Sequence, residues 1–412
     1  MQLTLVNLLG VSVIAFLVPC VLGLFPRCRI PATAMELVAG ILVGPSVLGW
    51  IEAGPVVKVM ATIGVAFLLF LAGLDLHLKV LTGPPLLRGS FAFLVSFGLA
   101  YALMAPLGAK GVILSPLLCS VALSATSLGI VSPYLRDLGQ SHTPVGRFTM
   151  STASIAEVCT IGLLGVFFAE SNASAAVSAL LLALVAVLGV LLVAVLRLTQ
   201  RWAPGRIILD KLDDTSAQSR VRFSVMVFLA AAAVTMQFGF EGILGSFLAG
   251  IVVRLLVRGD RFESSLRIKL EGIGFGLFVP AFFVTTGLEF ELSRFGFAEM
   301  GRSLLFLAAL LVIKTVPTVL YRPFLTWREC LASGILQSTN LSFIVVSVAV
   351  GKNLGLMREI NGAALIMAGL ASALIFPSLG ARLLSHTKPE PHGEVTVVPG
   401  DASFQSEPPV SS

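Results

Sequence analysis

The chain has 412 residues, 56% hydrophobic and only 12% charged, with a mean hydropathy of +0.97 and a formal net charge of +6. A composition this apolar excludes a soluble globular domain, and recurring runs of roughly 20 apolar residues indicate a polytopic α-helical membrane protein. The short alternating segments of a transmembrane β-barrel are absent, and the positive charge is read through its placement in loops, not as a nucleic-acid surface.

Thirteen hydrophobic segments are expected, at approximately 3–25, 31–50, 55–73, 85–106, 111–135, 144–169, 174–196, 221–238, 242–257, 273–288, 300–321, 327–351 and 360–384. The first lacks a basic leader and a small-residue cleavage site, so it is expected to stay as an anchor helix. With the N-terminus outside, most Lys and Arg fall in the loops after odd-numbered segments and in the tail. The other side holds Lys58, Lys110, Arg294, Arg302, Lys352 and Arg358. This asymmetry predicts a plasma-membrane protein with its N-terminus out and its C-terminus in the cytoplasm.

The loop Arg197–Arg222 carries mixed charge, and Arg258–Glu271 reads as a short amphipathic interfacial helix. Residues 1–385 form the expected membrane domain, and the Pro- and Ser-rich tail 386–412 is expected to be disordered. The five cysteines are scattered and form no CxxC or Cys/His cluster, which argues against a disulfide framework or a zinc site. His77 and His142 fall in loops, and His386 and His392 in the tail. No P-loop, GxSxG or HExxH pattern occurs, so neither an enzyme nor a cofactor is expected.

Three short matches recur at a nearly constant offset of about 210 residues. Leu37–Gly44 resembles Phe247–Arg254, Ala72–Leu78 resembles Thr286–Leu292, and Ser124–Leu128 resembles Gln337–Leu341. The matched segments run in opposite directions through the bilayer, so 31–169 and 242–384 read as two inverted repeats. That plan is the signature of an alternating-access transporter. The third match sets polar residues at mid-span: Ser124, Thr126 and Ser127 in one copy, Gln337 to Asn340 and Ser342 in the other. Unwound backbone survives at that depth only when buried in protein or lining a cavity, so two crossed discontinuous helices are expected.

Glu157 lies near the middle of the sixth segment. A carboxylate there costs about 2.5–3.5 kcal/mol on the insertion scale, which points to a site shared by protons and a monovalent cation. The plainer alternative is a protonated side chain satisfied by a neighbouring helix. Lys314, in the apolar run LLVIKTVPTVL, reads either as a counter-charge for that site or as a structural or snorkelling lysine. Pro317 is placed to open the helix locally. Thr126, Ser127, Thr339 and Asn340 offer oxygen ligands, or simple helix–helix hydrogen bonds. Glu36, Asp75 and Glu289 lie near span ends, where solvated interfacial roles are expected. The Asn172-Ala-Ser sequon carries no weight without a secretory-pathway host.

Gly40–Ile51 (GILVGPSVLGWI), Gly64–Leu76 (GVAFLLFLAGLDL), Ala122–Gly139 (ALSATSLGIVSPYLRDLG) and Thr143–Val158 (TPVGRFTMSTASIAEV) resemble the monovalent cation:proton antiporter-2 family of the cation–proton antiporter superfamily. Gly245–Val253 (GSFLAGIVV) and Pro280–Leu292 (PAFFVTTGLEFEL) do so as well. The resemblance covers roughly residues 1–385. It implies a thirteen-helix fold with a core domain, a dimerisation domain and an elevator-like motion, and Na⁺/H⁺ or K⁺/H⁺ exchange by a homodimer. Ala156-Glu157 stands where the family usually has Asp-Asp, Asn-Asp or Gln-Asp. Lys314 matches the lysine that pairs with the first of those aspartates, and Ser338-Thr339-Asn340 replaces an Arg-Gly-Glu-like stretch. One carboxylate makes 1:1 electroneutral exchange the simpler expectation. A sodium-coupled symporter for an organic anion, a channel-like or sensor protein, and a transport-inactive relative are the alternatives.

Overall fold

The computed structural model describes residues 2–24, 30–76, 83–141, 143–167, 218–237, 242–256, 260–292 and 296–384. All regular structure among them is helical. The α-helices are α1 (Gln2–Leu24), α2 (Ala32–Val43), α3 (Pro55–Leu74), α4 (Gly83–Ala109), α5 (Pro116–Ser124), α6 (Leu128–Asp137), α7 (Pro144–Phe167), α8 (Ser219–Gln237), α9 (Gly242–Leu256), α10 (Asp260–Ile273), α11 (Val279–Leu288), α12 (Phe297–Thr315), α13 (Trp327–Gln337), α14 (Ser342–Asn353) and α15 (Glu359–Leu384). Among the described residues, 10 helical stretches are long and apolar enough to cross a membrane, and the shorter apolar helices Ala32–Val43 and Leu244–Leu255 fall on the second and ninth expected segments. The seventh segment, most of the 197–222 loop, His77, His142, the Asn172 sequon and the tail lie outside the described residues.

Helix ends follow local chemistry. Ser115 caps α5 by accepting from Leu118 N at 3.2 Å, with Pro116 at the first helical position. Thr326 and Glu329 form a reciprocal capping box at the start of α13. After Thr315, the helix of Lys314 tightens into a 3₁₀ stretch, Val316–Tyr321, because Pro317 cannot donate an amide.

One expectation is corrected. α10 is not a separate interfacial helix. It continues through a π-helical turn, Gly274–Phe278, into α11, and Ser265–Leu288 reads as one span. Pro280 lacks the N–H that would reach back to Gly276, and the wider turn accommodates its ring. Arg267 of α10 anchors this extension to Asp75 at the end of α3, at 3.0 Å.

The helices pack as two bundles. In the first, α3 lies against α9, α2 against α11, and α1 and α8 flank them. In the second, α4 packs on α5 and α7, while α15 packs on α12, α13 and α14. The main contacts between the bundles are those of α7 with α9 and of α2 with α15, inside an apolar core that runs through both.

Two contacts set the first bundle's geometry. A Cβ added to Gly73 of α3 would lie 2.2 Å from the Phe247 carbonyl oxygen, and one on Gly250 of α9 would lie 2.0 Å from the Phe70 carbonyl oxygen. Likewise a Cβ on Gly40 of α2 would lie 2.3 Å from Val284 O, and one on Gly287 of α11 would lie 2.3 Å from Leu37 O. Only glycine permits backbones this close. The two contacts are related by the sequence matches: Gly40 aligns with Gly250, and Gly73 with Gly287.

Candidate ion site at the crossing of two broken helices

The second bundle holds both helix breaks. α5 stops at Ser124 and α6 restarts at Leu128; α13 stops at Gln337 and α14 restarts at Ser342. The intervening backbone is extended at Ala125 and Ser127. The breaks satisfy one another. Ser127 N donates to Thr339 O at 2.9 Å, and Thr126 Oγ1 donates to Gln337 O at 2.9 Å. Asn340 Nδ2 reaches Ala122 O at 2.7 Å, Asn340 N donates to Ser372 Oγ of α15 at 3.1 Å, and Ser342 N donates to Ser127 Oγ at 3.3 Å. Freed backbone at mid-membrane is thus paired within protein, as a low-dielectric interior demands.

Glu157 and Lys314 act on the two ends of the same break. Glu157, 2% exposed, accepts from Leu128 N through Oε1 at 3.0 Å, at the positive end of α6. Lys314, 3% exposed, donates from Nζ to Ser124 O, at the negative end of α5. Each side chain, in its charged form, therefore meets a half-helix terminus of favourable sign. Lys314 is bound to a backbone carbonyl and makes no ion pair with Glu157.

The site's unpaired oxygens differ from the simple list of polar residues. Thr126 and Ser127 use their hydroxyls to join the two breaks. Glu157 Oε2, Thr339 Oγ1 and Asn340 Oδ1 are buried and find no protein partner. Ser154 Oγ and Thr160 Oγ1, three residues before and after Glu157 on α7, are also buried and unpartnered. Their spacing in TMSTASIAEVCT places them beside Glu157 on a helix, a signal legible in the sequence but missed. Ser372 was missed too, because only the fold brings α15 to the crossing.

The other carboxylates divide. Glu289 is exposed and pairs with Lys58 at 2.9 Å. Glu36 is 3% exposed within α2, with Oε2 unpartnered, which corrects its reading as a solvated interfacial residue. α2 enters the bundle here because Gly40, one turn on, draws it against α11.

On the N-terminal side of Glu157, α7 is tied to its neighbours by side chains. Thr152 Oγ1 and the buried Tyr321 hydroxyl lie 2.7 Å apart, and Thr149 Oγ1 and Ser333 Oγ 2.8 Å apart. Gln337 Nε2 donates to Ser333 Oγ at 2.9 Å.

Comparison with known proteins adds to this geometry. Residues 12–386 match the family described as sodium/hydrogen exchanger, transmembrane. The candidate sodium/proton antiporter YjbQ of Bacillus subtilis is 26% identical, over 95% of this chain and 65% of its own length. The chain thus spans just under two thirds of that relative. The probable Na(+)/H(+) antiporter 3 of Methanocaldococcus jannaschii is 26% identical, over 88% of this chain and 92% of its own. The Na(+)/H(+)-K(+) antiporter GerN of Bacillus cereus is 25% identical, over 85% of this chain and 89% of its own. The solved structure of the sodium proton antiporter MjNhaP1 from M. jannaschii superposes with a TM-score of 0.65 at 15% identity, covering 94% of this chain and 99% of that one, a likeness of fold. The chain is a multi-pass membrane protein and belongs to the sodium/hydrogen exchanger transmembrane family.

Proposed function

We propose that the chain exchanges a monovalent cation, Na⁺ or K⁺, for protons by alternating access, with Glu157 as the shared binding group. The observation that carries this reading is Glu157 Oε2, buried and unpartnered on a side chain that binds the helix break at Leu128 N, with Thr339 Oγ1 and Asn340 Oδ1 of the crossing break also buried and unpartnered. A lone ionised oxygen in that position is costly, and either a proton or a cation relieves that cost. One carboxylate cannot carry both at once, so their competition couples the two fluxes. The names of the relatives point the same way, and the symporter and channel alternatives gain no support from them.

Lys314 serves as a fixed cap on α5. Its charge then cancels out of the cycle, and a single titrating carboxylate gives 1:1 electroneutral exchange. Thr126 and Ser127 hold the crossing in shape, while Thr339 and Asn340 supply neutral oxygen ligands, with Ser154 and Thr160 beside them.

The movement is a displacement of the second bundle against the first. Every long-range hydrogen bond and ion pair named here lies within one bundle, so sliding of one bundle past the other leaves them in place. The paired glycine contacts support reading 31–169 and 242–384 as inverted repeats. A homodimer in the plasma membrane, with the N-terminus outside, is the assembly inferred from the family resemblance and the loop charges.

The test is the full chain reconstituted in proteoliposomes with an imposed proton gradient. Addition of Na⁺, K⁺ or Li⁺ is expected to dissipate the gradient for at least one cation. Cation flux without proton movement, or no response to any of them, would refute exchange.

A further inference from the structure

We propose that Arg88 and Arg322 form a clamp for the phosphate of an anionic phospholipid at one end of the second bundle. Arg88 lies near the start of α4, and Arg322 follows the 3₁₀ stretch that ends at Tyr321; the turn 322–326 between it and α13 completes the site. All these chain ends lie where spans leave the membrane.

Both guanidinium groups are held in place, and no described residue neutralises them. Arg88 Nη1 donates to Leu320 O at 2.6 Å, and its Cζ lies 4.9 Å from the centre of the Phe324 ring. Arg322 Nη1 donates to Leu325 O at 3.0 Å, and its Cζ lies 4.5 Å from the centre of the Trp327 ring. A guanidinium has five N–H donors, so one carbonyl bond each leaves most of the fork free. Among the described residues neither arginine meets a carboxylate. The acid nearest in sequence, Glu329, is occupied by the cap, accepting from Thr326 N and Thr326 Oγ1 at 2.8 Å each.

The rings that orient the arginines face outward. Phe324 is 46% exposed and Trp327 is 61% exposed, a placement typical of side chains at headgroup level. Phe324 is braced from within by Phe148 of α7, centroid to centroid 5.4 Å. Arg328, also exposed, adds charge at the same edge.

Two pre-oriented guanidinium forks that no described carboxylate compensates, beside exposed aromatics at the membrane surface, match the phosphate of an anionic lipid. Arginine binds phosphate through two parallel N–H bonds, and an anionic leaflet adds about 1 kcal/mol per basic residue. A positive-inside bias alone would explain the presence of arginines here, but not their fixation on aromatic faces. The bound lipid fastens the ends of α4 and α13 at a defined depth.

The test titrates the detergent-solubilised full chain with phosphatidylglycerol or phosphatidylcholine and counts bound lipid by native mass spectrometry. Arg88→Gln with Arg322→Gln is expected to raise the phosphatidylglycerol concentration for half-occupancy about 30-fold, from two residues at about 1 kcal/mol each. Phosphatidylcholine binding is expected to stay unchanged, and Lys110→Gln, at the other end of α4, to leave both lipids unaffected. Unchanged phosphatidylglycerol binding in the double variant would overturn the proposal, and so would equal loss of both lipids. Should that variant fail to fold, Arg88→Lys and Arg322→Lys keep the charge but remove the fork. Several-fold weaker phosphatidylglycerol binding supports the clamp, and wild-type binding in both overturns it.

Discussion

Substitution of Gly73 by alanine tests the packing that sets the first bundle. The new Cβ would lie 2.2 Å from Phe247 O and 3.1 Å from Ile251 N, both backbone atoms. A relaxed carbon–oxygen contact is about 3.3 Å, so α3 and α9 must part by about 1 Å at their closest approach. Neither neighbour is a side chain that can swing aside. The cost therefore falls in the upper part of the usual overpacking range, about 2–3 kcal/mol. Unfolding of the purified chain in mixed micelles, followed by circular dichroism along a denaturing-detergent titration, measures it. Gly250→Ala opens the same contact, since its Cβ meets Phe70 O at 2.0 Å and Gly73 Cα at 3.0 Å. Once one alanine has parted the helices, the second costs less, and the double variant is expected to fall short of additivity by about 1 kcal/mol or more. Gly73→Ala combined with Gly40→Ala, in the separate α2–α11 contact, is expected to add within about 0.5 kcal/mol. A Gly73→Ala protein within about 0.5 kcal/mol of wild type would refute the reasoning, because surface substitutions have effects of that size.

Three further predictions concern polar groups. Lys314→Met leaves Ser124 O unsatisfied at the end of α5 and is expected to cost about 1–3 kcal/mol in the same unfolding assay, with Lys314→Gln milder because its amide can still donate. If Lys314 is only a cap, exchange by Lys314→Gln and by wild type runs at a rate independent of an imposed membrane potential; a potential-driven rate in wild type would contradict electroneutral exchange. Tyr321→Phe removes the partner of Thr152 Oγ1 in a fully buried pair and is expected to cost about 1–3 kcal/mol, measured by unfolding. Asp75, just beyond the end of α3, has its carboxyl pushed by burial from 3.8 to about 6, with Arg267 at 3.0 Å opposing the shift. An acid with a raised folded-state pKa binds its proton more tightly when native, so this contribution is present below about pH 4 and is lost as pH rises through about 6. The change amounts to at most about 3 kcal/mol, and Asp75→Asn is expected to flatten the stability profile over that interval.

Much of the fold could be read directly because lipid is an unforgiving solvent. Each span needs its length of apolar residues, and each polar interruption must be paired, so SATSL and QSTNL marked the two breaks and Glu157 stood out as the candidate ion-binding group. Direct pairing was harder to read. The partner of Lys314 is a main-chain carbonyl 190 positions away in sequence, and no side-chain pattern encodes it. Ser372 reaches the crossing only through the packing of α15. Glu36 looked interfacial from its position near a segment end, but Gly40 draws α2 into the bundle and buries it. The charged run before Gly274 read as a surface helix because its composition is amphipathic. A π-helical turn ahead of Pro280 instead joins it to a span, and such turns leave little trace in composition. The Gly40, Gly73, Gly250 and Gly287 positions were visible as repeated words, yet their pairing across the repeats emerges only in three dimensions.

Glu157 is the centre of the proposed exchange, and proton-linked cation exchange by conservative variants at that position tests its role most directly. In proteoliposomes, wild type is expected to dissipate the proton gradient on cation addition, Glu157→Asp to retain cation-dependent exchange with altered apparent affinity, and Glu157→Gln to abolish it while unfolding no more readily than wild type. Cation-dependent dissipation by Glu157→Gln at the wild-type rate would contradict the account.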